Sequence, residues 1–283
     1  MNKDKRLIVE CDGYQLRVEQ RGSGPNLLII GSVSYYKKVI PDLLQAYFTC
    51  VYIDHRGFAK CLKARPDETV SLSTISDDIE VVCNRLQISK TSVLGHSGHA
   101  YMAMHFAGNS KVEVDQVIAV GAAPNLSASM QERQLAHWSA YASKQRQNLL
   151  DESMAKLDSD IAKQPERKFV HICRRLGPMR WANPRFDEIH LWEGVETNTL
   201  LLDKLWGEIF SEIDVTQMTS NLELTVMNGD LDFSIAPLEE WTNIEAAFRS
   251  LKLIELKGVS HTPMLENPQQ FVDMMLSIHK LKN

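Results

Sequence analysis

Short, largely apolar runs alternate with helix-patterned segments through the first half of this chain. That alternation restricts the possible folds more than any other feature. Leu27-Leu28-Ile29-Ile30 follows the turn cluster Arg21-Gly22-Ser23-Gly24-Pro25. A continuous apolar run of this length suits a strand buried on both faces, as in a parallel sheet. Residues 50–53, 91–94 and 117–120 repeat the pattern. Between them, residues 73–86 carry Ile75, Ile79, Val82 and Leu86 at helical spacing behind a capping serine. Residues 41–47 and 100–107 also read as helices. Earlier still, residues 7–11 and 14–20 flank Asp12-Gly13, the signature of a hairpin. Strands alternating with helices predict a mainly parallel sheet with helices on both faces. In such sheets functional groups gather at the carboxyl ends of the strands.

The texture changes at about residue 125. From there to 215 no convincing strand appears, and the segment holds Leu176-Gly177-Pro178, Asn183-Pro184 and Trp138, Trp181, Trp192 and Trp206. It reads as a helical insertion lying over the strand ends. The alternation resumes with a strand at 222–227, a helix at 238–248, a strand at 251–256 and a final helix at 268–280. Residues 1–124 and 216–283 are therefore expected to form one core, with 125–215 inserted into it. A chain of 283 residues is long enough for that arrangement.

Several partner classes are excluded. The net charge is −5 and no block of lysine or arginine stands out, which argues against nucleic acid. Leu7-Ile8-Val9 is broken at Glu10, too short for a secretory signal. No run approaches the roughly 18 apolar residues that span a bilayer. The 5 cysteines are scattered without a Cys-x-x-Cys pair, so reduced thiols and a cytoplasmic location are expected. His55, His105, His171 and His190 lack metal-ligand spacing, and no metal is expected. Neither a G-x-G-x-x-G nor a Walker-type loop occurs, and no cofactor is expected.

The candidate chemistry sits at strand ends. Val93-Leu94-Gly95-His96-Ser97-Gly98-His99 places a serine at the apex of a turn between strand and helix. The pattern matches the G-x-S-x-G elbow that exposes a nucleophile, except that His99 occupies the second glycine position. Gly98 and Ala100 flank that histidine and supply room. Two later strands end in Asn228-Gly229-Asp230-Leu231-Asp232 and in Lys257-Gly258-Val259-Ser260-His261-Thr262-Pro263. The order serine, acid, histidine marks one class of proton-relay triad.

On these motifs the chain resembles an α/β-hydrolase with a helical lid over nearly its whole length. Gly229 to Asp232 is similar to that family's acid loop. Gly258 to Pro263, followed by Glu266-Asn267-Pro268, is similar to its histidine loop. Asp54-His55-Arg56-Gly57-Phe58-Ala59-Lys60-Cys61 resembles its D-x-R-G-x-G-x-S segment, with Ala59 and Cys61 departing from it. Proline iminopeptidase-like and carboxylesterase-like members are the nearest in kind.

The resemblance implies Ser97 as nucleophile, His261 as base and Asp232 as the acid that orients the imidazole. Asp230 is a rival that the G-x-x-D register disfavours. It also implies oxyanion donors at the Gly98 amide and in the turn after Ile30, where Ser32 fits the register, Val33 stands next and the family's usual histidine is missing. His96 matches a position often filled by histidine and reads as structural. His99 and the four tryptophans read either as pocket wall or as packing. Arg174-Arg175 reads as a solvated face or a carboxylate site, and Glu193 and Glu196 as possible sites for a substrate amine. The expected function is hydrolysis of a small ester, lactone, thioester or amide enclosed under the lid. A lyase or cofactor-free oxygenase on the same scaffold, or a non-catalytic sensor of a small ligand, are the alternatives.

Overall fold

The computed structural model describes residues 4–63, 70–218 and 222–280. The strands among them are β1 (Lys5–Cys11), β2 (Tyr14–Gly22), β3 (Asn26–Gly31), β4 (Thr49–Asp54), β5 (Lys60–Cys61), β6 (Lys90–His96), β7 (Glu113–Val120), β8 (Glu223–Gly229) and β9 (Ser250–Leu256). They form one sheet in the order β1-β2-β4-β3-β6-β7-β8-β9, with β5 attached to β2. The hairpin of β1 and β2 is antiparallel, as is the joint from β2 to β4. From β4 through β3, β6, β7 and β8 to β9 every pairing is parallel. The carboxyl ends of these strands therefore share one edge, where the candidate residues lie.

Strand alternation divides the core between the two faces of the sheet. Leu28, Ile30, Val93, Val117 and Val226 pack with α2 (Leu72–Leu86) and α3 (His99–Asn109). Leu27, Ile29, Leu94, Ile118 and Met227 pack with α1 (Val33–Val39) and with the terminal α12 (Pro268–Lys280), which follows the short α11 (Pro263–Glu266). Each fully buried aliphatic side chain contributes roughly 1.5–3 kcal/mol. The two layers together hold the strand ends rigid.

Between β7 and β8 the chain runs through α4 (Ala128–Tyr141), α5 (Lys144–Met154), α6 (Leu157–Lys163), α7 (Lys168–Arg175), α8 (Gly177–Arg180), α9 (Thr199–Lys204) and α10 (Phe210–Glu212). No helix among the described residues is long and apolar enough to cross a membrane.

Local elements differ from expectation in four places. Residues 33–39 form a helix, where the sequence suggested only a turn at residues 30–33 and no element beyond it. Their valines and tyrosines are poor helix formers, but Ser32 caps the helix and Val33, Tyr35, Tyr36 and Val39 are buried. The expected helix at 41–47 is a short 3-10 turn, Asp42–Ala46, entered through Pro41 without a capping side chain. Helix α2 is capped by Ser71 rather than Ser73. Leu238–Ala247 winds as 3-10 turns, and no side chain caps its start.

Candidate active site

Ser97 stands at the tip of β6 with φ of 58°, a left-handed backbone that L-residues adopt at a cost of roughly 1–2 kcal/mol. Its amide donates to the Val120 carbonyl at 2.8 Å, and its carbonyl accepts from Ala100 at 3.0 Å. The turn is thus pinned to the neighbouring strand and to the helix that follows. The tight crossing falls at Gly95, where a Cβ would lie 2.3 Å from the His99 carbonyl oxygen. A Cβ on Gly98 would meet Phe210 at 2.6 Å and Trp206 at 2.8 Å. The second close approach of the elbow is therefore met at Gly98, and position 99 is free to carry a large side chain.

Asp232 and His261 come together from the ends of β8 and β9. Asp232 Oδ2 accepts from His261 Nδ1 at 2.7 Å. Its other oxygen accepts from the Ser234 hydroxyl at 2.6 Å and the Ser234 amide at 2.9 Å. Burial alone would raise the Asp232 pKa, but the His261 ring and the two Ser234 donors outweigh it and hold the carboxyl below its usual range. With Nδ1–H committed to Asp232, His261 keeps a lone pair on Nε2, the tautomer a base needs. Nε2 is buried and has no hydrogen-bond partner. Ser97 and His261 line one cavity, and no hydrogen bond joins them. Such contacts tighten when substrate arrives.

Asp230 is separate from this pair; its carboxylate accepts from the Gly258 amide at 2.8 Å and lies near Lys257. Ser32 lines the cavity. The next amide, that of Val33, is taken by Asp54 Oδ1 at 2.7 Å.

Beneath the elbow, His99 joins a buried polar chain. The Gly57 amide donates to His55 Nδ1 at 3.1 Å, which leaves His55 Nε2–H to donate to His99 Nε2 at 3.2 Å. His99 Nδ1–H then donates to the His96 carbonyl at 2.9 Å, with Tyr36 Oη at 2.8 Å. Tyr36 donates in turn to His96 Nδ1 at 3.2 Å, and His96 Nε2–H donates to the His261 carbonyl at 2.8 Å. The carbonyls at 96 and 261 fix every tautomer in the chain. Burial pushes His99 down to about 4, and burial pushes His55 and His96 well below the usual histidine range.

The cavity encloses about 170 Å³, room for a small organic molecule. Its walls are mainly aromatic and aliphatic, with Tyr35, Phe58, Phe169, Trp192 and Trp206 among them. Trp138 and Trp181 instead pack against Phe233 and Phe186. Arg174 pairs with Asp187 at 2.9 Å and Arg175 with Asp160 at 2.6 Å, so neither guanidinium is free for a substrate. Glu193 and Glu196 are exposed and lie off the cavity wall. Among the described residues no group of side chains is arranged to hold a metal ion.

Ser234, Tyr36 and Arg180 were not singled out from the sequence. A serine two residues past the acid was a readable signal; nothing in the spacing marks the other two.

The parallel sheet, the strained serine turn and the acid–histidine pair define a class. The chain belongs to the alpha/beta hydrolase fold family, which it matches over residues 24–268. It is 32% identical over 266 residues to the AB hydrolase superfamily protein YclE of Bacillus subtilis (strain 168), covering 93% of this chain and 95% of that one. In structure it is similar to VinJ, with a TM-score of 0.73 at 14% identity over 97% of each chain. It is also similar to the Exiguobacterium antarcticum esterase EaEST, with a TM-score of 0.67 at 16% identity over 99% of this chain and 100% of the esterase. At these identities the likeness to the solved structures is one of fold.

Proposed function

We propose that this protein is a serine hydrolase that cleaves a small ester, lactone, thioester or amide through an acyl-Ser97 intermediate. The observation that carries the reading is His261: Nδ1 is bound to Asp232 at 2.7 Å, and Nε2 is unpartnered in the cavity that Ser97 also lines.

Ser97 Oγ attacks the carbonyl carbon while His261 Nε2 takes its proton. The carbonyl π electrons move to oxygen, and the amides of Ser32 and Gly98 stabilise the oxyanion, each contributing roughly 3 kcal/mol when well aimed. Collapse breaks the bond to the leaving group, which takes the proton from His261. Water then attacks the acyl-serine, with His261 again as base, and releases the acid and free Ser97. Asp232 stabilises the imidazolium formed in each half-reaction. Residues 1–124 and 216–283 act as the core and 125–215 as a lid. Phe169, Trp192 and Trp206 on that segment support the lid reading, because they wall the cavity.

A fluorophosphonate probe and a panel of p-nitrophenyl esters test the proposal. The expected result is labelling at Ser97 and ester turnover that falls on the order of 10⁴-fold in Ser97→Ala. A folded protein that stays unlabelled, or a Ser97→Ala variant of unchanged activity, overturns it; the latter would point to His261 acting as a base without a nucleophile.

A further inference from the structure

One polar group on the cavity wall has no task in acyl transfer. Arg180 ends α8 and lines the cavity beside His261, whose amide donates to the Arg180 carbonyl at 3.0 Å. Its side chain is only 11% exposed and faces Glu188 across 3.6 Å, Nε to Oε1. That is an ion pair too long for a hydrogen bond, and neither atom has another partner. The second oxygen of Glu188 is anchored elsewhere, accepting from Trp192 Nε1 at 3.1 Å. Arg180 reaches the cavity wall and Glu188 does not. The carboxylate thus backs the guanidinium without saturating it.

A further donor stands beside it. Tyr35 Oη is buried next to the Thr262 hydroxyl, which does not reach the cavity, and it can accept from that hydroxyl while donating to a ligand. Tyr35 lines the same cavity. The nearby acceptor Asp232 is committed to His261 and Ser234. Cys173 on the same wall stays a neutral thiol, its pKa pushed up by burial to about 12. This part of the wall therefore has donors in excess. Buried donors are normally satisfied by protein, water or ligand, and a planar carboxylate is the group that a guanidinium fork recognises.

We propose that the substrate carries a carboxylate, bound by Arg180 with the hydroxyl of Tyr35 on the cavity wall beside His261. This rests on the acyl-transfer reading of the same cavity and adds the substrate's charge to it.

The test uses calorimetry on Ser97→Ala protein, so that binding is read without turnover. Monomethyl succinate, glutarate and adipate are compared with methyl butyrate, valerate and hexanoate. At least one acid is expected to bind about tenfold or more tighter than its neutral counterpart. The preference should disappear in Arg180→Gln/Glu188→Gln, which removes both charges together and leaves no lone buried carboxylate. Tyr35→Phe, which spares the ion pair, should weaken the acid alone by about three- to tenfold. Acids that bind no better than the neutral esters overturn the inference, as does an acid preference unchanged in both variants. Fluorophosphonate labelling separates the two readings. A labelled Ser97 without acid preference sinks only this one, and acid preference without labelling sinks only the nucleophile.

Discussion

Ser234 tests how finely the Asp232–His261 pair is tuned. Its hydroxyl donates to Asp232 at 2.6 Å and lies 3.1 Å from His261 Nδ1. Ser234→Ala removes a charge-assisted bond of roughly 1.5–3 kcal/mol but keeps the backbone amide on the carboxylate. We expect kcat to fall about tenfold with KM nearly unchanged, measured on whichever ester the enzyme turns over. An unchanged kcat would show that the hydroxyl only fills space. At this scale the meeting of Asp232 with His261, and the placing of Ser97 on the same cavity, were legible because residues at strand ends leave a pattern of order and spacing. Arg180 and Tyr35 left none. Tyr35 reaches the cavity from α1 and Arg180 from the end of α8, two short helices whose packing no periodicity in the sequence encodes. The apparent fault at His99 was legible as a mismatch, but its reason was not: the side chain enters a polar chain with Tyr36 and His55, far away in sequence.

At the scale of elements, the short α8 and the residues just after it are tied to both loops of the acid–histidine pair. Phe233 donates to the Met179 carbonyl and His261 to the Arg180 carbonyl, both at 3.0 Å. Arg146 donates to the carbonyls of Pro178 and Trp181 at 2.8 Å and of Ala182 at 2.7 Å. Glu266 bridges the two sides, accepting from Ala182 at 2.6 Å and Ser260 at 2.7 Å. Glu266→Ala leaves both amides without their acceptor. Hydrogen exchange at Ala182 and Ser260 should speed up and kcat/KM should drop, because Arg180 and His261 lose a shared anchor. Unchanged exchange at those amides would count against the clamp. The sheet and the helices packed on it could be read from apolar periodicity. Helix α1 could not, since Val33, Tyr35 and Tyr36 favour strands and become helical through burial.

For the whole molecule, the buried histidines couple stability to pH. His99 titrates near 4 when folded and near 6.5 when unfolded, so below pH 6.5 the unfolded chain binds the extra proton. Stability is complete above 6.5 and is lost as pH falls towards 4, by about 3 kcal/mol for this residue. His55 and His96, both shifted down by burial, act in the same direction. Asp54, pushed up by burial to about 6, acts in the opposite one. Urea unfolding of wild type and His99→Gln between pH 7.5 and 5 isolates the term, and the variant should show the flatter profile; parallel profiles would refute it. The measurement that bears most directly on the proposed chemistry is intact-mass spectrometry during turnover of a slowly deacylating ester. An adduct with the mass of the acyl group, mapped to the peptide that holds Ser97 and absent from Ser97→Ala, is the predicted result. Product formed at full rate by Ser97→Ala, with no adduct at any time in wild type, would contradict it.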